Sequence, residues 1–158
     1  MILEPDTQYP LPLARNVAAI FSTMNRKEVA CECIRLLDVQ TTPPGKIFVV
    51  DNDSTDGTAH ALEAAGRTLA PEISIVRSSQ NLGNAGGIQL LMDQAFGEGF
   101  EYVWILDDDS WPEADALERL LSKNLPCDSI RSSLVLAPGS DDVSWTYEIP
   151  TPSGRWKS

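Results

Sequence analysis

Four short apolar runs recur along the chain, and a segment with helical spacing follows each. The runs are "NVAAIFS" (Asn16–Ser22), "KIFVV" (Lys46–Val50), "ISIVR" (Ile73–Arg77) and "YVWIL" (Tyr102–Leu106). "KIFVV" is nearly continuous, the pattern of a strand buried on both faces. "NRKEVACECIRLLDVQ" carries Val29, Cys33 and Leu37 on one helical face with Ala30 and Ile34 beside them, and "TTPPG" stops it. "TAHALEAAG" reads as a short helix ended by Gly66, and "IQLLMDQAF" as a third that "GEGFE" breaks. Pro112 fits the first turn of a fourth, "EADALERLLSK", with Ala116, Leu117, Leu120 and Leu121 as its apolar stripe. Strand and helix alternating in this way predict an α/β fold, a three-layer α/β/α sandwich around a mainly parallel sheet. Residues 1–15 are expected to form an irregular, Pro-rich leader and residues 16–158 the domain. "SIRSSLVLA" (Ser129–Ala137) reads as one more strand. After "PGSDD" the pattern fails, and "VSWTYEIPTPSGRWKS" reads as an edge strand and loop.

Composition narrows the function. With 158 residues and 42% hydrophobic residues, the chain can bury a real core. Its net charge of −11 argues against nucleic-acid binding, since no basic patch is available to release phosphate counterions. A small phosphorylated ligand stays open, because a bound divalent cation reverses the local sign. Cys31 and Cys33 lie two apart in an expected helix, so their side chains diverge by roughly 200°. With Cys127 distant there is no zinc spacing, and buried or half-buried thiols in a reducing compartment are expected. No run of 18 apolar residues suggests a membrane span. "MILEPDTQYPLP" lacks the charged and apolar parts of a signal peptide, which makes the cytoplasm the expected location.

In an open parallel sheet, ligands bind outside the carboxyl ends of the strands. The unusual polar residues of this chain fall there. Ser22 and Thr23 follow the first run, Asp51, Asn52 and Asp53 the second, Asn81 and Gly83 the third, and Asp107, Asp108 and Asp109 the fourth. Three adjacent carboxylates repel one another. A solvated turn is one explanation. The other is a hard cation shared by Asp107 and Asp109, which face the same side of an extended segment. Mg²⁺ and Mn²⁺ both suit oxygen ligands. "DNDSTDGT" is not a calcium loop, because Gly57 and Glu63 each fall one place late and a strand precedes it. Capping of the next helix is the expected role of Asp56 or Thr58. "NLGNAGG" matches neither the dinucleotide fingerprint nor the phosphate loop. Its glycines let backbone approach a ligand or a neighbouring helix, and a helix opening near Ala85 would aim free N–H groups at the same edge. His60, the single histidine, is expected on a helix surface, which leaves a Ser-His-Asp or Cys-His mechanism little support.

The succession "VVDNDSTDGT", "NLGNAGG", "WILDDDSWPEADAL" resembles the family-two inverting glycosyltransferases of the GT-A fold, particularly their bacterial rhamnosyl- and galactofuranosyl-transferase-like branch. The resemblance spans about Asn16 to Lys123. It implies a nucleotide-binding half in which Asp51, Asn52 and Asp53 meet the base and ribose. Many relatives have Asp where this chain has Asn52. Ser22 and Thr23 would lie along the nucleotide, and Asn81 and Gly83 would border the donor. Asp107 to Asp109 match the Asp-x-Asp motif that holds Mg²⁺ or Mn²⁺ and, through it, the diphosphate. A nucleotide-diphosphate sugar of UDP or dTDP type would be the donor and a saccharide or lipid-linked molecule the acceptor, the latter drawing the protein to the inner face of the membrane. The family's catalytic base lies well downstream of Asp-x-Asp. Asp141, Asp142 and Glu148 do not resemble that motif, so the base is expected beyond Ser158, in a longer enzyme. An apolar edge left uncovered would favour self-association into a homo-oligomer. Two other readings compete: a non-catalytic nucleotide or sugar-nucleotide binding module, and a nucleotidyltransferase. The last needs a basic residue near the triphosphate, and the acidic loops offer no obvious one.

Overall fold

A computed structural model describes residues 14–122, 130 and 131, and the backbone of 149–150 and 156–157. The four apolar runs become strands β1 (Val17–Thr23), β2 (Lys46–Asn52), β3 (Glu72–Ser78) and β4 (Tyr102–Ile105). They lie in the order β3-β2-β1-β4, every neighbouring pair parallel. The central pair, β1 and β2, has both faces covered, as the unbroken apolar runs require. On one face Ala19, Phe21, Ile47 and Val49 pack against Ala30, Cys33, Ile34 and Leu37 of α1 (Lys27–Asp38) and Leu62 of α2 (Thr58–Gly66). On the other, Ala18, Ile20, Phe48 and Val50 pack against Leu91 and Ala95 of α3 (Gly83–Gly97). Helices on both faces give the three layers expected. Val29, placed by its spacing on the buried face of α1, is half-exposed.

Contacts divide the chain into two units, Met1–Asp128 and Ser129–Ser158. In the second, β5 (Ile149–Pro150) pairs antiparallel with β6 (Trp156–Lys157), so "VSWTYEIPTPSGRWKS" contains a hairpin rather than one edge strand. The strand expected over Ser129–Ala137 lies outside the described residues but for Ile130 and Arg131, and so do Asp141, Asp142, Glu148 and most of the leader. Ala14–Asn16, at the leader's end, is a 3-10 turn. Among the described residues, no helix is long and apolar enough to cross a membrane.

Two helices start away from their expected places, each for a physical reason. Helix α3 opens at Gly83, two residues ahead of Ala85 and five ahead of Ile88, so all of "GNAGG" is helix. Gly87 permits this. A Cβ there would stand 2.7 Å from Val50 Cγ1 and 3.1 Å from Ser22 Cβ, so the glycine lets the helix lie close on the sheet rather than on another helix. Gly66 is the last residue of α2, yet it is not among the positive-φ glycines. Its Cβ would meet Ile73 Cγ2 at 2.2 Å, and its use is close packing rather than a left-handed cap. Helix α4 (Ala116–Leu121) starts well after Pro112 and buries only Leu117 among its residues. Residues before it are tied to the end of α1. Gln40 donates to the Glu113 carbonyl at 2.9 Å and accepts from the Leu117 N–H at 3.1 Å, and the Thr41 N–H donates to the Ala114 carbonyl.

Two expected results follow from this packing. Gly87→Ala should destabilise the protein by about 1–2 kcal/mol, within the range for overpacking. Gly97→Ala, whose Cβ would meet nothing within 4 Å, should be neutral or slightly stabilising. Equal urea midpoints for the two variants would refute the close-approach role of Gly87. Burial pushes the Cys33 thiol up to about 12, from an ordinary 9.0. A thiol pKa raised by folding contributes stability that is full below the unfolded value and lost as pH rises toward the folded one. Stability should therefore decline between about pH 9 and pH 12. In a variant with serine at Cys31 and Cys127, Cys33 should resist a thiol reagent at pH 8 and react at once in guanidinium. Fast labelling of the native variant would mean that α1 opens readily.

Candidate functional site

Parallel register carries the strand exits to one edge. Thr23 pairs with Asp51 across β1 and β2, and Asp51 with Arg77 across β2 and β3. On the other side of β1, Ile20 pairs with Ile105, and the Leu106 N–H donates to the Ile20 carbonyl at 3.0 Å. Continuing level for three residues brings Asp108 beside Thr23, and the Thr23 hydroxyl donates to Asp108 Oδ2 at 2.8 Å. The sheet register thus accounts for a contact between residues 85 apart in sequence.

The acidic triplet is a turn, not an extended segment. The Ser110 N–H donates to the Asp107 carbonyl at 3.0 Å, and the Asp107 N–H to Ser110 Oγ at 3.2 Å. The same-side argument for Asp107 and Asp109 therefore fails as stated, and the three carboxylates have separate surroundings. Asp108 is buried, bonded to Thr23 and to Arg26 Nη1 at 2.9 Å. Arg26 Nη2 reaches Asp109 Oδ2, also at 2.9 Å. Among the described residues, Asp107 Oδ1 receives only a long bond, 3.5 Å, from Asn84 Nδ2. Burial pushes the Asp108 carboxyl above the ordinary carboxylate range, against the opposing pull of the Thr23 hydroxyl and the Arg26 charge. Bonding to Asp109, with the charge of Asp108, raises Arg26 in turn. One guanidinium spanning two carboxylates offsets part of their repulsion.

The loop after β2 is self-shaped. Asp51 is buried and its Oδ1 accepts the Ser54 N–H at 3.1 Å, while Arg77 Nε lies 3.8 Å from Oδ2. Asp53 is exposed and takes a positive φ of 61°, which Asp tolerates better than most residues. Asp56 accepts the Thr58 N–H at 3.0 Å and the Lys27 N–H at 3.3 Å, satisfying one opening N–H of each of α2 and α1. Its bonds with Thr58 hold its carboxyl below the usual range. This is the capping role expected of it. Asn25, with φ 52°, accepts the Thr55 N–H at 2.8 Å and so joins the β1 and β2 exits. His60 is exposed, as expected.

A cavity of about 340 Å³ opens at this edge. The structure brings Ser22, Thr23, Asn52, Asn81, Gly83, Asp107, Asp108 and Asp109 together on its lining, and leaves Asp51 and Asp53 off it. Asn52 holds the Leu82 N–H at 3.3 Å, and Asn81 accepts the Gly83 N–H at 2.8 Å, so both also fix the opening of α3. Three lining residues were not singled out by sequence reasoning: Met24, Arg26 and Asn84. Asn84 accepts the Ser22 hydroxyl at 2.6 Å and leans toward Asp107, linking the exits of β1 and β4 through α3. Its position inside "NLGNAGG" was a signal. Arg26 places a basic residue against the acidic loop, bonded to Asp108 and Asp109, and its position three residues past Thr23 was the clue.

Among the described residues no three His, Cys, Asp or Glu side chains converge as a ready metal cage. Magnesium-type sites do not need one: one or two carboxylates with substrate phosphates suffice. Asp107 and the exposed side of Asp109 could offer oxygen ligands to such an ion, whereas Asp108 is committed to Thr23 and Arg26.

The four-stranded parallel sheet with helices on both faces is the fold of this chain's structural neighbours, which are GT-A glycosyltransferases. Residues 18–124 match the model of glycosyl transferase family 2, and the chain belongs to that family. It is 33% identical over 115 residues to the galactofuranosyltransferase GlfT1 of Mycobacterium tuberculosis, covering 73% of this chain and 36% of that protein. Identity to the Mycolicibacterium smegmatis protein of that name is 31% over 107 residues, 67% of this chain and 34% of that one. The chain thus spans about a third of the length of the curated relatives it matches. Among solved structures, the mannosyltransferase PcManGT of Pyrobaculum calidifontis, in complex with GDP-Man and Mn²⁺, superposes with a TM-score of 0.58 at 26% identity. That match covers 66% of this chain and 32% of the other. S. aureus TarS 1-349 in complex with UDP gives 0.55 at 23% identity, over 67% and 31%, a likeness of fold alone.

Proposed function

We propose that this chain binds the donor for an inverting glycosyltransferase, taking a nucleotide-diphosphate sugar of UDP or dTDP type and serving transfer to a hydroxyl of a saccharide or lipid-linked acceptor. The observation that carries the proposal is the gathering of Asp107, Asp109, Asn84 and Ser22 around one cavity at the carboxyl edge of a parallel sheet. The galactofuranosyltransferase relatives and the GDP-Man and Mn²⁺ complex of the mannosyltransferase neighbour support it. In this reading Asp107 and Asp109 hold Mg²⁺ or Mn²⁺, which offsets charge growing on the leaving diphosphate. Ser22 and Asn84 border the phosphates. Asn52, Asn81 and Gly83 shape the wall along the nucleotide, and Asp51 and Asp53 shape the loop facing base and ribose. Asp108 positions the turn.

The test is calorimetry with UDP, dTDP and GDP in the presence of Mn²⁺. At least one diphosphate should bind, and adding its sugar should not abolish binding. Heats indistinguishable from buffer for all three would remove the donor-binding reading.

A further inference from the structure

Arg26 stands where a bound cation would have to compete with it. Its two terminal nitrogens each reach a different carboxylate, Asp108 Oδ1 and Asp109 Oδ2, both at 2.9 Å. The two bonds are unlike. The Asp108 side chain is 8% exposed and holds Thr23 as a second partner, so this bond is anchored. The Asp109 side chain is 53% exposed, in solvent that screens the pair and can replace it. Asp109 also sits next to the donor set that the cation reading needs, across the turn from Asp107, whose carboxylate is only loosely held by Asn84.

We propose that Arg26 is an internal counter-cation of the acidic turn: it occupies Asp109 when no metal is bound, and yields Asp109 but keeps Asp108 when a divalent cation enters. The inference rests on the cation reading given above. It makes Arg26 a positioning residue with two opposed effects. Its charge holds the turn together in the metal-free protein, since three adjacent carboxylates otherwise repel. The same charge, a few ångströms from the site, lowers affinity for any second cation. Metal uptake then frees one guanidinium edge on the cavity wall, facing the space where phosphate oxygens would lie. A purely structural arginine would act differently. Removing it would loosen the turn and weaken the metal site as well.

Mn²⁺ titration followed by electron paramagnetic resonance separates the two, because it reads free Mn²⁺ directly and needs no turnover. Arg26→Gln should bind Mn²⁺ at least fivefold more tightly than the wild-type protein while its metal-free thermal midpoint falls. Added Mn²⁺ should raise that midpoint more in the variant than in the wild type. Arg26→Lys keeps a positive charge, but a single ammonium cannot span two carboxylates with a planar fork. It should fold as the wild type does and bind Mn²⁺ with intermediate affinity, which preserves the test should the glutamine variant not fold. Equal or weaker Mn²⁺ binding by the variants, with wild type binding normally, would overturn the counter-cation role and leave the donor-site reading intact. No Mn²⁺ binding by any of the three proteins, either alone or with UDP, dTDP or GDP present, would overturn both.

Discussion

Asp108→Ala should destabilise the protein by about 1–3 kcal/mol, the cost of losing a buried carboxylate and leaving its buried partner, the Thr23 hydroxyl, unsatisfied. Asp109→Ala should shift the thermal midpoint by no more than about 2 °C. The two residues are neighbours with the same side chain, so the difference comes only from surroundings. Asp108 is buried, and its loss strands the Thr23 hydroxyl and one edge of Arg26. Asp109 gives up an ion pair in which both side chains are about half exposed, a pair worth little in water. Binding should follow the opposite order: Asp109→Ala loses metal-dependent nucleotide affinity while its fold is intact. Thermal melts of both variants without metal check the first half. Equal midpoints would show that Asp108 is not the structural member of the triplet.

Phe48→Ala should cost about 3–5 kcal/mol, a large share of the roughly 5–15 kcal/mol by which domains are stable. Phe48 is fully buried on the α3 side of the sheet, among Ala18, Ile20, Val50, Leu91 and Ala95. It meets Phe100 edge-on, with ring centroids 5.7 Å apart and planes at 89°, and truncation would leave both that ring and Leu91 facing a void. Urea unfolding measures the loss. A change below about 1 kcal/mol would mean that the neighbours collapse into the space, and that this face is not the tight core described.

The sheet was readable because strands buried on both faces cannot hide their pattern. "NVAAIFS" and "KIFVV" became the two central strands, and their exits became the site edge. Edge strands β3 and β4 were found by the same runs although they are only half-buried. What failed was local. "GNAGG" looks like loop by propensity, and only tertiary packing explains why glycine serves a helix there: the sheet lies under Gly87. Pro112 looked like a helix start, but Gln40 and Thr41 claim the residues that follow it. At the site, composition at the strand exits pointed to the cavity but not to the roles within it. Which aspartate of three is buried depends on the level at which β4 leaves β1, a register that no local motif prints. Arg26 escaped notice because its partners are more than 80 residues away in sequence.

The most direct test of the account is nucleoside diphosphate affinity measured with Mn²⁺ and again after chelation by EDTA, on the wild-type protein and on the variant with Asp107→Asn and Asp109→Asn. Chelation should lower wild-type affinity at least tenfold, about 1.4 kcal/mol, and the double variant should show the low affinity under both conditions. Equal wild-type affinity with Mn²⁺ and with EDTA would contradict the claim that the acidic turn binds the donor through a metal ion.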